Sequence, residues 1–80
     1  MEKVFTIELD QQGEMVELHL NKKGAEFLRD VLNKLIENNR FSDHHFMSPE
    51  WGGDELSSEK QNLSDDIKLI HQLKILYSKE

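Results

Sequence analysis

The sequence contains no cysteine, a single proline and four glycines among its eighty residues. Without cysteine the chain can form neither a disulfide framework nor a thiolate zinc site, so its core depends on packing. Eighty residues are enough for one small domain and leave little room for a deep substrate cavity. No apolar run approaches the roughly 18 residues of a membrane-spanning helix, and no apolar signal segment is evident. We therefore expect a single-domain, cytoplasmic protein that does not bind a membrane.

Basic residues are also scarce. Ten lysines and arginines stand against sixteen aspartates and glutamates, which gives a net charge of −6. Binding to a phosphate backbone needs clustered cations, so nucleic acid is not an expected partner. One lysine against five acidic residues gives −4 over residues 1–21, and one lysine against seven gives −6 over residues 41–66. This distribution favours a basic partner.

Alternating apolar residues predict a β-hairpin over residues 3–20. Every second residue is apolar from Phe5 to Leu9, and alternation resumes from Met15 to Leu20 after a glycine-containing turn. This is the period of a half-buried strand. The outward row of the hairpin carries Glu8, Glu14 and Glu17, and we expect it to be a solvated acidic surface.

A helix is predicted over residues 22–37. Asn21 is a suitable N-cap, and apolar residues recur at helical spacing behind it. The apolar stripe expected to lie on the hairpin consists of Leu28, Val31, Leu32, Leu35 and Ile36.

The C-terminal half is predicted to contain two further strands. A short strand over residues 42–48 is ended by Pro49, and a turn-rich loop with the Trp-Gly-Gly sequence follows over residues 49–66. Residues 67–77 fit a strand or a helix, and alternation that places five apolar residues and a histidine on one face favours the strand. The predicted fold is α+β, of order β-β-α-β-β, with an antiparallel four-stranded sheet and one helix packed on one face.

The sequence offers few candidates for chemistry. His44 and His45 are adjacent, so in a strand they point to opposite faces. A small metal-binding module using these two histidines and Asp43 remains an alternative, although the spacing matches no standard zinc motif. No nucleophile motif, phosphate-binding glycine loop or zinc-protease motif is present. We therefore assign no catalytic residue, metal ligand or cofactor, and we predict that the protein is not an enzyme.

The single tryptophan and the single proline lie in the same loop. Trp51 is followed by two glycines and is flanked by Glu50, Asp54 and Glu55. Two interpretations stay open. Trp51 covers the core as a lid, or it is a partly exposed anchor within an acidic ring, the composition of an interface hot spot that faces a basic partner, and both can hold at once.

The segment from His45 to Ser57 reads His-Phe-Met-Ser-Pro-Glu-Trp-Gly-Gly-Asp-Glu-Leu-Ser, and the chain approaches its end with Leu-Lys-Ile-Leu-Tyr over residues 73–77. Both segments resemble the bacterial immunity protein 32 family of polymorphic toxin systems, whose members carry a His-Leu-Met-Thr/Ser-Pro-x-Trp-Gly-Gly-x-Glu-Leu core and a hydrophobic tail. In the tail, His71-Gln72 stands where the family has Asn-His, and Leu76 is inserted before the tyrosine.

The resemblance implies a cytoplasmic antidote that binds and neutralises a cognate bacterial toxin, such as a nuclease, without catalysis. A structural homodimer that forms through an exposed strand edge or Trp51 is a further alternative. The candidate partner-binding residues are Trp51, Glu50, Asp54, Glu55 and His45.

Overall fold

The computed structural model describes residues 2–37 and 42–78. Within these residues the chain forms an α+β fold of five strands, one α-helix and a short 3-10 helix at Pro49–Trp51. In chain order the larger elements are β1 (Phe5–Leu9), β2 (Val16–Leu20), α1 (Lys22–Glu37), β3 (Ser42–Met47), β4 (Lys68–Ile70) and β5 (Gln72–Tyr77). The helix of the described residues is not long and apolar enough to cross a membrane.

The strands form two antiparallel sheets. β1 lies between β2 and β4 in a three-stranded sheet, and β3 pairs with β5 in a two-stranded sheet. The prediction of one four-stranded sheet is therefore wrong. The tail is extended, as predicted, but it changes pairing partner at His71, whose carbonyl accepts a hydrogen bond from the N–H of Ser48 at 3.0 Å. This interruption divides the expected last strand into β4 and β5.

The helix begins at the predicted residue and spans Lys22–Glu37 within the described part of the chain. The Oδ1 atom of Asn21 accepts hydrogen bonds from the N–H of Gly24 at 2.9 Å and from the N–H of Val4 at 2.9 Å. The first bond satisfies a donor that the helix start leaves free, and the second ties this start to the strand that enters the core. The cap thus fixes α1 relative to β1.

Only part of the predicted helix stripe is buried. Val31 and Leu35 lie in the core and Leu28 packs against it, whereas Leu32 and Ile36 are exposed. The helix contacts β2 and β3. Only the side chains on the helix face that points directly at these strands become buried. The expectation that Leu32 and Ile36 lie buried on the hairpin is therefore wrong.

The core is built around three phenylalanine rings. Phe5, Phe27 and Phe46 contact one another with ring centroids 5.1–6.0 Å apart and tilted or edge-on planes, the geometry that aromatic quadrupoles favour. The fully or nearly buried apolar side chains are Phe5, Ile7, Val31, Leu35, Phe46 and Leu56. The last of these comes from the loop, so the loop contributes to the core.

A segment of the loop, residues 57–62, covers the face of β1 that points away from the helix. Thr6 and Glu8 on that face are fully buried. The Glu8 carboxylate accepts hydrogen bonds from the backbone N–H of Gln61 at 2.6 Å and of Asn62 at 3.1 Å. The prediction of a solvated acidic face is therefore wrong for Glu8. The covering loop buries this carboxylate, which serves as the acceptor for the loop N–H groups. Helix, sheet and this covering loop form three layers.

Candidate functional site

The Trp-Gly-Gly sequence forms a tight turn directly after β3. The N–H groups of Trp51 and Gly53 both donate to the carbonyl of Ser48, at 2.9 and 3.0 Å. Gly52 follows in the left-handed region with φ of 88°. A Cβ atom at Gly53 would collide with the backbone carbonyl of Met47, so this position requires glycine. The two glycines allow the chain to reverse and to display the Trp51 side chain.

The continuation of the loop is attached to both sheets. The N–H of Leu56 donates to the carbonyl of Met47 at 3.2 Å, and the N–H of Ser57 donates to the carbonyl of Phe5 at 2.8 Å. The hydroxyl of Ser57 also accepts the N–H of Phe5 at 3.0 Å. The Leu56 side chain is buried in the core. These contacts therefore fix the segment that directly follows the Trp51 turn.

Trp51 itself is 57% exposed. It borders an open pocket of about 230 Å³ at the interruption between β4 and β5, together with Lys68, Leu69, Ile70, His71 and Gln72. Of the two interpretations of Trp51, the exposed anchor fits this position and the lid over the core does not. We call Trp51, its pocket and the neighbouring Glu50 and Asp54 the Trp51 surface.

Glu50 and Asp54 are the two acidic residues of the loop that stand nearest to Trp51 in the sequence. Both residues are exposed. The Glu50 carboxylate accepts the hydroxyl of Ser58 at 2.7 Å and lies 3.6 Å from Nδ1 of His71. The Ser58 hydroxyl, followed by the N–H of Glu50 and the hydroxyl of Ser48, holds the pKa of Glu50 below its usual value. Glu50 is thus an anion held in one orientation.

Glu55 differs from the other acidic residues selected from the sequence. It is partly buried, and its carboxylate accepts the N–H of Met47 at 3.2 Å. Burial acts to raise the pKa of Glu55, but hydrogen bonds from the N–H groups of Met47, Glu55 and Asp54 outweigh it, so the pKa is lowered. This carboxylate supports the turn from within.

His45 lies outside the loop but beside the same surface. It is exposed on β3, and its Nε2 atom lies 3.0 Å from Oε1 of Gln72. Gln72 also lines the Trp51 pocket. The structure therefore connects His45 to Trp51 through Gln72.

The site also contains a serine, a histidine and a glutamate in contact. The hydroxyl of Ser48 lies 2.8 Å from Nδ1 of His71, the same nitrogen that Glu50 approaches. A nucleophilic triad instead uses both ring nitrogens, one for the hydroxyl and one for the carboxylate. Ser48 is also fully buried, so a substrate cannot reach it. These contacts hold the strand interruption in place.

The histidines considered as metal ligands are separated. His44 packs its ring on Phe46 with centroids 4.4 Å apart, whereas His45 turns to the opposite face of β3. Asp43 lies 3.5 Å from the ammonium of Lys74. The structure does not bring Asp43, His44 and His45 together as one ligand set.

Among the described residues, Glu8, Glu17 and His19 place one ligand atom each within 4.8 Å of the others. Their oxygens already have donors: Glu8 accepts the loop N–H groups, and Glu17 accepts the Asn62 side-chain amide at 3.2 Å and faces Nε2 of His19 at 2.9 Å. The Asn62 amide and His19 lower the pKa of Glu17. This group fits attachment of the covering loop better than it fits a cation.

His71 and Gln72 were not selected from the sequence, although both line the pocket. Alternation predicts one continuous strand for the tail, and the departure of His71-Gln72 from the family pattern does not indicate a pocket. The contact between Ser48 and His71 holds His71 at the edge of the pocket. It joins residues that lie 23 positions apart in the chain.

No protein-family model matches the chain, and neither does any curated protein or solved structure.

Proposed function

We propose that this protein is a non-catalytic inhibitor of the immunity-protein type, which binds and neutralises a cognate bacterial toxin domain through the Trp51 surface. The exposed Trp51 beside its open pocket is the observation that carries the proposal. Tryptophan is strongly enriched among residues that dominate binding energy, and such residues gain most when a partner surrounds them and excludes water.

The anchoring of the turn supports this role. Hydrogen bonds to the backbones of β1 and β3 hold the base of the loop, and Leu56 is buried beneath it. A side chain displayed from such a base loses little conformational freedom on binding, which leaves more of the interaction energy as affinity.

The charges favour a cationic partner on the loop side of the surface. Glu50 and Asp54 are exposed in this loop and outnumber the Lys3 ammonium that contacts the Asp54 carbonyl at 3.3 Å. The basic Lys68, by contrast, lines the strand side of the pocket. The net charge of −6 would also attract a basic toxin over a distance. A nuclease is one such toxin, and an acidic inhibitor would compete with phosphate for its cationic surface.

The test uses the C-terminal domain of the protein encoded immediately upstream, if that protein is a large secreted one. Calorimetry of this domain with the full chain measures affinity, and an assay of the toxin domain measures neutralisation. We expect Trp51→Ala to weaken binding by about 2 kcal/mol or more, roughly 30-fold. We expect Asp54→Asn to slow association and to reduce its dependence on salt.

Two matched variants control for general effects. Leu63→Ala truncates a side chain that is 86% exposed elsewhere in the loop, and Asp30→Asn removes an exposed charge on the helix. Both should bind as the unmodified protein does. Absence of binding at micromolar concentrations, or binding insensitive to both salt and Trp51→Ala, would contradict the proposal.

A further inference from the structure

β2 is an edge strand with an open hydrogen-bonding side. In the three-stranded sheet it pairs with β1 alone. The carbonyl of Met15 accepts a hydrogen bond from the N–H of Asp10 at 3.1 Å. The N–H of Asn21 donates to the carbonyl of Val4 at 3.3 Å. Because main-chain groups alternate in direction along an antiparallel strand, Val16, Leu18 and Leu20 turn theirs away from β1.

The side chains of these three residues are apolar and unusually exposed. Val16 is 62%, Leu18 46% and Leu20 37% exposed. Natural edge strands avoid pairing with other chains through charged side chains, lysine especially, or through proline, bulges or a covering segment. The one acidic side chain of β2, Glu17, accepts the side-chain amide of Asn62 from its own chain. The sequence of β2, Val-Glu-Leu-His-Leu, contains neither lysine nor proline. No other strand of the described residues lies beside it.

We propose that β2 is the interface of a homodimer, in which β2 of a second copy adds antiparallel to it and joins the two three-stranded sheets into one of six strands. The two-fold axis passes beside Leu18. Leu18 then faces Leu18 of the second copy, and Val16 faces Leu20 of the second copy. The outward main-chain groups of these residues supply roughly six hydrogen bonds between the copies.

Side-chain complementarity selects a second copy over an unrelated strand. Glu17 and His19 occupy the other face of β2, opposite Glu8 and Thr6 of β1. Antiparallel pairing about Leu18 puts Glu17 of each copy directly opposite His19 of the other. A carboxylate directly opposite an imidazole can accept its N–H, whereas two directly opposed carboxylates would destabilise the sheet. A strand of five residues thus complements itself in both its apolar and its polar face.

Sedimentation equilibrium of the full chain from micromolar to millimolar concentration tests the dimer. We expect a reversible monomer–dimer equilibrium, weakened at least about tenfold by Leu18→Lys, which places two like charges at the centre of the interface. Leu63→Lys is the matched control and should leave the equilibrium unchanged. A chain that stays monomeric at millimolar concentration would overturn the proposal.

The absence of native cysteine allows the register to be tested separately. Hydrogen-bonded partners in an antiparallel pair have Cα atoms about 5.5 Å apart, within the range of about 4.4–6.8 Å that a disulfide needs. Under mild oxidation Leu18→Cys should form covalent dimers faster than Leu63→Cys. A mixture of Val16→Cys and Leu20→Cys chains should cross-link mainly as mixed dimers.

A dimer lost in Trp51→Ala but retained in Leu18→Lys would place the contact at the Trp51 surface and contradict the β2 assignment. Cross-linking of Leu18→Cys at the rate of Leu63→Cys would contradict it as well. Since binding of the toxin domain uses the Trp51 surface, failure of the dimer leaves the proposed function standing.

Discussion

At the scale of single residues, Glu8 shows the clearest difference between what the sequence pattern predicts and what the structure shows. By alternation Glu8 is an outward polar residue of a hairpin, yet its side chain is fully buried and accepts the N–H groups of Gln61 and Asn62. The covering loop lies 53 and 54 positions away in the chain. No local pattern contains that information.

Replacing Glu8 by alanine should destabilise the protein. The change leaves two loop N–H groups without their acceptor, and one unsatisfied buried group costs about 1–3 kcal/mol. Urea unfolding followed by circular dichroism measures the loss. Glu14→Ala, at an exposed position of the β1–β2 turn, is the control and should stay within about 0.5 kcal/mol of the unmodified protein. Equal stability of the two variants would show that the Glu8 contacts contribute nothing.

The candidate partner-binding residues differ in their surroundings: some side chains are exposed to solvent, and one is bonded to the backbone beneath the turn. Trp51, Glu50 and Asp54 are exposed, as the interpretation as a binding site requires, whereas Glu55 bonds to the backbone of Met47. Glu50, Asp54 and Glu55 are acidic residues of one loop, and sequence alone treats them alike. The direction of each side chain depends on which strand passes beneath it.

At the scale of elements, the helix was predictable because its signals are local. A capping asparagine and apolar residues at helical spacing lie within the helix or next to it, and α1 begins at the predicted residue and spans Lys22–Glu37 within the described residues. The strand pairing was less predictable. The tail pairs with β1 before His71 and with β3 after it, and pairing partners are set by contacts between distant segments.

Gly24 within α1 provides an element-scale prediction. Alanine normally favours a helix over glycine by about 1 kcal/mol. Here a Cβ atom at position 24 would overlap the backbone carbonyl of Val4, and backbone cannot move as a flexible side chain can. We therefore expect Gly24→Ala to destabilise the protein by about 1–3 kcal/mol, the usual cost of overpacking.

Thermal unfolding measures this effect. Ala25→Gly, at the neighbouring exposed helix position, serves as the control and should lose only the propensity difference of about 1 kcal/mol. A higher midpoint for Gly24→Ala than for the unmodified protein would show that Gly24 and the backbone of Val4 are not in the close contact described.

At the scale of the whole molecule, acidic groups in hydrogen-bonded positions determine the response to pH. The pKa of Asp10 is lowered by the N–H groups of Met15 and Glu14, and that of Glu17 by the Asn62 amide and His19. A carboxyl group whose pKa is lower in the folded state stabilises the fold fully above its unfolded pKa. This contribution is lost as the pH falls through the folded pKa.

The contribution of Asp10 and Glu17 to the free energy of unfolding should therefore be complete above the usual glutamate pKa of 4.5, and it should decline as the pH falls below that value. Chemical unfolding at a series of pH values measures the decline. Glu17→Gln removes one contributing carboxyl and should make the decline shallower. A decline as steep as that of the unmodified protein would contradict the assigned Glu17 contacts.

The sequence by itself determined the local features of this protein: the alternation of the hairpin, the capped helix, the end of β3 before Pro49 and the acidic excess. Each depends on residues close together in the chain or on composition alone. The tertiary structure decided that the tail divides at His71, that Glu8 is buried under the loop and that Trp51 is displayed beside a pocket. Those features depend on hydrogen bonds and packing between segments distant in sequence, and a periodic pattern within one segment does not specify which other segment will cover it.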